Sequence, residues 1–484
     1  MKRLLLLLAA CATPTYEAKP PPWVSDTSTF GQGSGSAAVS GASIADRYRE
    51  PAAKILAATR GDHAAWDKLS ILTDTIGHRL SGEPSLDKAI AWAAQTMKDD
   101  GLEVHTEKVM VPHWQRGTEN AAITEPITRP LMLIGLGGSV ATPKGGITAP
   151  VVVVHSWKEL AAKGDAVKGA IVVYNVAMPK WTEEHGSGYG ETVEYRWNGA
   201  SQAAKHGAVA ALVRSVTAHS LRLPHTGGMG SADDAPKIPT AALTVEDTEL
   251  LDRLTQRGPV TVHLTLEEQT LPDVESANVI GELRGREKPD EVVVIGGHID
   301  SWDVGQGAHD DGAGIVTMMQ AAATLKKLGL VPRRTIRVVC FTNEENGSRG
   351  GKGYAQAHKD ELRKTVLAIE SDSGGFAPRG FETGSKDPAA AGRLKTHVSN
   401  VATLLRALGV KKVGSGHGGT DIAPMESSGV PMIGLDVDNR TYFDIHHTEA
   451  DTLDKVDPNQ LADDVAAVAV LAYIAADLPE RLDQ

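Results

Sequence analysis

The stretch that decides the fold is residues 292–314, VVVIGGHIDSWDVGQGAHDDGAG. Its apolar beginning predicts a buried strand, which ends at His298 and Asp300. A glycine-rich loop follows and closes with Asp310 and Asp311, just before an apolar segment with helical spacing. A histidine and a carboxylate at the end of a strand, opposite a carboxylate pair at the start of a helix, indicate half of a metal site.

Strands and helices alternate along the chain from residue 276 to the C-terminus. The sequence predicts strands at 292–296, 335–342, 365–370 and 432–435, and helices at 314–328, 351–363, 393–408 and 458–475. This alternation implies an α/β fold with a mostly parallel (mixed) sheet covered by helices on both faces. Sites in such sheets form at the carboxyl ends of the strands, so the polar motifs should meet at one edge.

Two helices are predicted at the start of the folded chain, at 43–59 and 62–73. A third helix, capped by Ser85 and ending at Gly101, leads into a strand at 102–111. A helix that leads into an edge strand suits the beginning of an α/β domain.

Residues 131–270 have a different character, with short β-rich runs separated by glycine turns. The runs lie at 131–136, 151–155, 170–174, 208–214 and 240–244, and a short helix is predicted to start at Asn198. The histidines here are scattered and indicate no ligand cluster. We therefore predict an inserted β-rich domain at 140–270 within an α/β domain formed by 43–139 and 271–484.

The first residues, MKRLLLLLAACA, have the composition of an export signal. The basic pair, the leucine run and the small residues before Cys11 resemble a bacterial lipobox, which predicts a signal peptide at 1–11 and a lipid on Cys11. Residues 12–42 are rich in Pro, Gly, Ser and Thr and predict a flexible tether. The leucine run is too short to span a bilayer, and no later stretch looks long enough. We expect an exported protein, periplasmic or at the cell surface, that touches the membrane only through this lipid.

The composition excludes a nucleic-acid-binding protein. The 484-residue chain carries a net charge of −12 and only 4% aromatic residues, so it lacks the basic stripe and the stacking surface that nucleic acids require. With two cysteines in the sequence, one of them Cys11, no intrachain disulfide is expected in the mature chain. Cys340 lies in an apolar run and is expected to be a buried small hydrophobic residue.

Three later segments supply further candidate ligands. They are Glu344 and Glu345 in TNEENGSRG, Glu370 and Asp372 in ESDSGG, and His446 and His447 in HHTEADT. Imidazole and carboxylate ligands without a thiolate suit zinc or another first-row divalent ion. A paired-metal site needs a bridging carboxylate, a histidine and a carboxylate for each ion, and a free carboxylate as base. The residues alone leave open which member of each pair binds metal.

The motifs GGHIDSWDVGQGAHDDGAG, TNEENGSRG, ESDSGG and HHTEADT, in this order, resemble the co-catalytic zinc exopeptidases of family M28. The resemblance covers nearly everything from residue 43 to the end, and the inserted 140–270 resembles a protease-associated domain. It implies two Zn²⁺ ions per chain and hydrolysis of dipeptides or short peptides, with a homodimer possible. The motifs leave open whether amino-terminal residues, carboxyl-terminal residues or dipeptides are cleaved.

The family pattern also implies a role for each ligand. His298 and Asp372 would hold one zinc ion, Glu345 and His447 the other, and Asp310 would bridge both. The family spacing favours Asp372 over Glu370 and His447 over His446.

Other residues would act beside the metal ions. Glu344 would be the general base that takes a proton from the bridging water. Asp300 would orient the imidazole of His298, and Asp311, joined to Asp310 by a cis peptide bond in relatives, would shape the loop.

Substrate contacts are expected from Tyr442, His446 and His417, the last in a GHGGTD loop that could equally be an ordinary glycine turn. Two other functions fit the same fold. One is a non-catalytic binding protein that uses the inserted domain, and the other is a glutaminyl-cyclase-like enzyme with one zinc ion.

Overall fold

The computed structural model describes residues 42–484, so the predicted signal peptide with Cys11 and nearly all of the tether lie outside the described residues. In chain order, the strands are β1 Glu103–Gln115, β2 Glu119–Glu125, β3 Arg129–Leu131, β4 Leu133–Gly135, β5 Ile147–Val154, β6 Ile171–Tyr174, β7 Ala210–Arg214, β8 Thr240–Leu243, β9 Thr261–Leu266, β10 Gln269–Leu283, β11 Lys288–His298, β12 Arg334–Phe341, β13 Thr365–Glu370, β14 Pro378–Gly384, β15 Lys412–Ser415 and β16 Met432–Val437. The α-helices are α1 Ile44–Thr59, α2 Ala64–Ser70, α3 Pro84–Asp99, α4 Trp157–Lys163, α5 Tyr189–Lys205, α6 Val245–Thr255, α7 Ala313–Lys327, α8 Arg349–Ala357, α9 Pro388–Ala402, α10 Tyr442–Ile445 and α11 Pro458–Asp477.

The first sheet contains eight strands in the order β1-β10-β12-β11-β13-β16-β14-β15. Its centre, from β12 through β11 and β13 to β16, is parallel. Strands β1 and β10 pair antiparallel at one end of the sheet, and β14 pairs antiparallel with β16 but parallel with β15 at the other. Helices cover both faces, with α1, α3, α7, α9 and α11 on one side and α8 on the other. The predicted mixed α/β sheet is confirmed.

The central strand β11 shows why the sequence is so apolar here. Successive side chains of a strand point to opposite faces. Val293 and Ile295 pack into the core under the larger helix layer, and Val292 and Val294 pack into the core on the other face. A parallel strand buried on both faces needs apolar residues at every position rather than at alternate ones.

The register of the central strands brings the polar motifs together. His298 at the end of β11 is level with Phe341 at the end of β12. Gly296 in β11 is level with Glu370 at the end of β13. The segments that follow these strands therefore emerge side by side at one edge of the sheet, as the sequence predicted.

A second eight-stranded sheet, in the order β3-β2-β9-β5-β6-β7-β8-β4, is built from strands between residues 119 and 266. Separate hydrophobic clusters cover its two faces. Strands β2, β3 and β4 belong to this sheet although they precede the predicted boundary at residue 140. The second sheet therefore includes residues that precede the predicted insertion. The division of the chain into two domains stays a prediction.

Several predicted element boundaries were wrong. Helix α3 starts at Pro84, so the predicted cap Ser85 lies inside the helix. Proline suits the first helical position, which explains the earlier start. Helix α5 starts at Tyr189, well before Asn198. Helix α8 ends at Ala357 rather than at 363.

Helix α11 lies on the face of the first sheet that carries most of the helices, and it packs against α7 and α1. Asp457 caps it by accepting the backbone N–H groups of Asn459 and Gln460. By length and composition it could also cross a membrane, so the expectation that no stretch beyond the leader is long enough was wrong. Because 83% of its apolar window is buried inside the protein, its composition reflects its place in the core.

Candidate active site

The first half of the predicted metal cluster lies at the end of β11. Nε2 of His298 is 3.2 Å from Oδ1 of Asp310 and 3.5 Å from Oδ1 of Asp372. Three side chains from three different segments thus point one atom each at a common position, as ligands of a metal ion do.

The second half lies on the other side of Asp310. Nε2 of His447 is 3.1 Å from Oδ2 of Asp310 and 3.1 Å from Oε2 of Glu345. The two oxygens of the Asp310 carboxylate therefore face different groups, Oδ1 towards His298 and Oδ2 towards His447. This division is what a carboxylate that bridges two ions requires.

His446 also reaches the cluster, since its Nε2 lies 3.4 Å from Oδ2 of Asp310. Its ring stacks on that of His447 with the centroids 3.5 Å apart. Burial and the neighbouring His447 lower the pKa of His446 well below its usual value, which favours the neutral ring. The geometry brings both histidines to the Asp310 carboxylate, and the preference for His447 as the ligand stays a prediction.

The donor atoms of this cluster fit a divalent cation. Nε2 of His298, Oδ2 of Asp310 and Oε1 of Glu345 are buried and have no hydrogen-bond partner. Buried polar atoms without a partner are costly, and a cation would satisfy all three at once. Groups of these residues offer ligand atoms that all lie within 4.8 Å of one another.

Asp300 supports the site in a different way from the one predicted. Nδ1 of His298 lies 3.0 Å from the Asp300 backbone carbonyl and 3.8 Å from its carboxylate. The carboxylate instead accepts the backbone N–H groups of Glu344, at 3.0 Å, and Glu345, at 3.3 Å. One residue thus orients the histidine through its main chain and the two glutamates through its side chain.

Asp311 connects the loop to the strand. Its Oδ2 accepts the backbone N–H of His298 at 3.0 Å, and its Oδ1 accepts the N–H of Gly314 at 3.1 Å. The peptide bond between Asp310 and Asp311 is cis, as the family resemblance implied. A Cβ atom at Gly297 would collide with the Asp311 carboxylate, so a glycine is required at this position.

Asp451 and Arg79, for which the sequence predicts no role, bind the main chain of the same loop. The Asp451 carboxylate accepts the backbone N–H groups of His309, at 2.8 Å, and Asp310, at 3.1 Å. The buried Arg79 guanidinium donates to the carbonyls of Ile299 and Gly307 at either end of the loop. Asp451 lies in the quoted motif HHTEADT and Arg79 lies between the second and third predicted helices. A side chain that binds main-chain atoms leaves no spacing pattern in the sequence.

Glu344, the predicted base, lies on the wall of the cavity beside the cluster. Burial raises the pKa of its carboxyl group well above the usual value, and the negative charges of Asp372 and Glu345 act in the same direction. Bound cations would oppose this shift and favour the carboxylate that a general base needs.

The cluster opens into a cavity of about 600 Å³. Tyr442 and His446 line it, as expected of substrate-contacting residues, together with Tyr189 and Arg196 from helix α5. His417 is not among the described residues that line the cavity. It is half exposed, with its Nδ1 3.9 Å from Glu426, so the structure does not bring this predicted substrate contact to the site.

The second sheet contributes to the site although its sequence showed no ligand cluster. The backbone carbonyl of Thr226 lies 3.2 Å from Nδ1 of His447. This contact makes Nδ1 the protonated nitrogen and leaves Nε2 free to bind metal. Residues from both sheets therefore build one site.

A histidine and carboxylate cluster at the carboxyl ends of parallel strands, open to a cavity of peptide size, defines a metallohydrolase. Residues 278–472 match the family model "Peptidase family M28". Carboxypeptidase Q of Mus musculus is 44% identical over 86% of this chain and 87% of its own length, and that of Homo sapiens is 42% identical over 87% of each. The chain therefore belongs to peptidase family M28 and is a metallo-exopeptidase.

Solved structures agree with this assignment. A peptidase M28 precursor from Shewanella amazonensis SB2B is 35% identical and superposes with a TM-score of 0.85 over 90% of this chain and 98% of that chain. A zinc aminopeptidase from Bacillus subtilis, at 21% identity, has the same fold with a TM-score of 0.62 over 87% of this chain and 96% of its own.

Proposed function

We propose that this protein is a dinuclear zinc exopeptidase that hydrolyses dipeptides or short peptides. The observation that carries the proposal is the division of the Asp310 carboxylate between His298 on one side and His447 on the other. Asp372 completes the first set of ligands and Glu345 the second. The names of the carboxypeptidase Q relatives favour cleavage next to a free carboxyl terminus.

The side chains divide the work of hydrolysis. Two zinc ions would supply a water of lowered pKa and would polarise the scissile carbonyl. The Glu344 carboxylate takes a proton from the attacking water and delivers it to the nitrogen of the leaving amine. The Asp300 carboxylate accepts the backbone N–H groups of Glu344 and Glu345. It thereby fixes the main chain that carries the base, Glu344, and the ligand, Glu345.

The remaining parts of the proposal concern the setting of the enzyme. The leader indicates export and a lipid on Cys11, which places the enzyme in the periplasm or at the cell surface. The region around 140–270 acts as a protease-associated-like domain that walls the cavity through α5, as the position of Tyr189 and Arg196 supports. Pairing of two copies is part of the proposal but rests on the family resemblance alone.

The experiment that tests the function uses the zinc-loaded protein and a panel of dipeptides that are free, blocked at the amino end or blocked at the carboxyl end. We expect hydrolysis of free dipeptides by a protein that contains two zinc ions per chain. One metal per chain would favour the cyclase-like alternative. A folded protein without bound metal would favour the non-catalytic alternative.

A further inference from the structure

Asn343 stands directly before the base Glu344, in a backbone conformation that is uncommon for residues other than glycine. It follows the end of β12 by two positions, is fully buried and has a φ of 63°. Asparagine tolerates this left-handed conformation better than most residues. Such residues cluster at active sites, where the surrounding contacts maintain them. The chain therefore turns sharply just before it carries the base into the cavity.

The side-chain amide of Asn343 lies inside the loop that contains Glu344. Its Oδ1 accepts the backbone N–H of Arg349 at 3.3 Å, and its Nδ2 donates to Oδ1 of Asn346. A Cβ atom at Gly347 would lie 2.5 Å from Oδ1 of Asn343, so the loop is folded closely around the amide. One side chain thus joins the beginning of the loop to its end.

The same amide connects the loop to a distant segment, since Nδ2 of Asn343 also donates to Oγ of Ser81 at 2.9 Å. Ser81 is fully buried and belongs to the segment GHRLSG at residues 77–82. Two residues earlier in this segment, the N–H of Arg79 donates to Oγ of Ser301 at 3.0 Å, in the loop that leads to the predicted bridging carboxylate. The segment therefore contacts both loops and fixes their separation.

The two neighbouring glutamates depend on this loop to different extents. Oε2 of Glu345 lies 3.1 Å from Nε2 of His447, which gives this carboxylate a second support. Within residues 42–484 no hydrogen bond or ion pair reaches the Glu344 carboxylate. Its direction is therefore set by the main chain, which Asp300 binds at the Glu344 N–H and which Asn343 turns one residue earlier.

We propose that Asn343, supported by Ser81, is the positioning residue of the base. Its left-handed backbone and its amide contacts place the Glu344 carboxylate where it can take a proton from the attacking water. A displacement of about 1 Å can cost about 100-fold in rate, so this placement decides activity. The inference rests on the proposed peptidase function and deepens it, because it names what aligns the base with the metal ligands.

The first test compares kcat and KM of the zinc-loaded parent with those of Asn343→Gly, Asn343→Ala and Ser81→Ala on Leu-Ala. Glycine keeps the left-handed conformation and loses the amide contacts, whereas alanine loses both. We expect kcat to fall about 100-fold with alanine and about 10-fold with glycine or with Ser81→Ala. KM and the zinc content should stay near the parent values, because the predicted metal ligands are unchanged.

A double-mutant cycle shows whether Asn343 acts through Glu344. In the Glu344→Gln background, Asn343→Gly should change the residual kcat by less than about twofold, because a positioning residue has no effect once its target is lost. Asn175→Gly is the matched control. Asn175 is a buried asparagine of the second-sheet region, and its amide donates to Asp252 at 2.9 Å and accepts from Arg214 at 2.7 Å. Its replacement should lower thermal stability and leave kcat unchanged.

Hydrogen exchange gives a readout that does not need turnover. The Asp300 carboxylate accepts the N–H groups of Glu344, at 3.0 Å, and Glu345, at 3.3 Å, so these amides should exchange slowly in the parent. Asn343→Gly should speed exchange in residues 342–350 about tenfold, as the loss of a net hydrogen bond allows. Asn175→Gly should leave exchange in this loop unchanged.

Three results would overturn the inference. Equal losses of kcat from Asn343→Gly in the parent and in the Glu344→Gln background would mean that Asn343 acts independently of the base. A fall in zinc content parallel to the fall in kcat would make it a support of Glu345. Unchanged exchange in residues 342–350 would mean that its amide does not fix the loop. If the parent hydrolyses no peptide while Asn343→Gly still speeds exchange, the proposed function fails and the role of Asn343 in placing the Glu344 main chain stands.

Discussion

Two hydrogen bonds join the main chain of Thr226 to His447. The Thr226 carbonyl lies 3.2 Å from Nδ1 of the His447 imidazole, and the Thr226 N–H donates to the His447 carbonyl at 3.0 Å. The Thr226 hydroxyl donates to the Gly135 carbonyl at 2.7 Å and accepts from Arg116 at 3.2 Å. Every polar group of this buried threonine is used, and a residue between strands of the second sheet sets the orientation of a predicted metal ligand.

Thr226→Val should weaken zinc binding at the His447 side of the cluster. Valine has almost the same shape but cannot bond to Gly135 or Arg116, so the carbonyl that orients His447 is less firmly held. Loss of such an outer contact weakens metal binding about 10- to 100-fold. Competition with a chromogenic chelator measures the affinity, and excess zinc should restore part of the lost activity.

Thr248→Val is the matched control for this substitution. Thr248 in α6 is also fully buried, and its hydroxyl donates at 2.9 Å to the carbonyl of Thr244, the residue that precedes this helix. Its replacement should cost a similar amount of stability without changing zinc affinity. If the two variants bind zinc equally well, Thr226 does not position His447.

Glu344→Gln should abolish turnover and leave the metal content near two ions per chain. The amide keeps the size of the side chain but cannot accept the proton of the attacking water. General-base catalysis contributes about 10²- to 10⁴-fold, so kcat should fall by at least that range. Activity on Leu-Ala and elemental analysis check the two halves of the prediction.

Glu345→Gln is the informative contrast, because the neighbouring glutamate faces His447 and is a predicted ligand. This variant should lose activity together with part of its zinc. Retained activity in Glu344→Gln would remove that residue from the role of base, whatever the metal content.

Removal of the metal should destabilise the fold. Asp310, Glu345 and Asp372 bring three carboxylates together around His298 and His447. Zinc at 1,000 times its Kd would add about 4 kcal/mol to the free energy of unfolding. Thermal unfolding before and after chelation, followed by zinc addition, measures this effect. An unchanged midpoint after complete chelation would contradict it.

The meeting of the candidate ligands at one edge of the sheet could be predicted from the sequence, because the order of strands and helices determines where their loops lie. An apolar run buried on both faces indicates a parallel strand, and parallel strands in one layer end at the same edge. This reasoning predicts that His298, the pair Glu344 and Glu345, and the pair Glu370 and Asp372 lie close together. The order of the four family motifs then added the roles within the cluster.

The supporting contacts could not be predicted in this way. Thr226 and His447 are separated by 221 positions, and the contact uses a backbone carbonyl that every residue possesses. Arg196 lies on α5, which starts well before the predicted Asn198, and one of its partners, Thr226, comes from a distant loop. Main-chain partners and the packing of one sheet region against another carry no residue-type signature, so the role of the second sheet emerged only from the structure.

Glu268 should make stability depend on pH. It is only 3% exposed, and neither carboxylate oxygen has a hydrogen-bond partner. Burial, followed by the negative charge of Glu119, raises the pKa of its carboxyl group from 4.5 to about 7. The folded protein therefore binds this proton more tightly than the unfolded chain does. Its free energy of unfolding falls as pH rises from about 4.5 to about 7, and the cost is complete above that range.

Glu268→Gln removes this cost, because the amide stays neutral at every pH. The variant should match the parent near pH 4.5 and exceed it at pH 8 by on the order of 3 kcal/mol, as follows from the pKa difference. Urea unfolding of both proteins at the two pH values measures the difference, in which the other titrating groups cancel. Glu267→Gln, at the exposed neighbouring position, is the matched control. A constant difference between the Glu268 variant and the parent across this range would mean that the carboxyl group titrates normally in the folded protein.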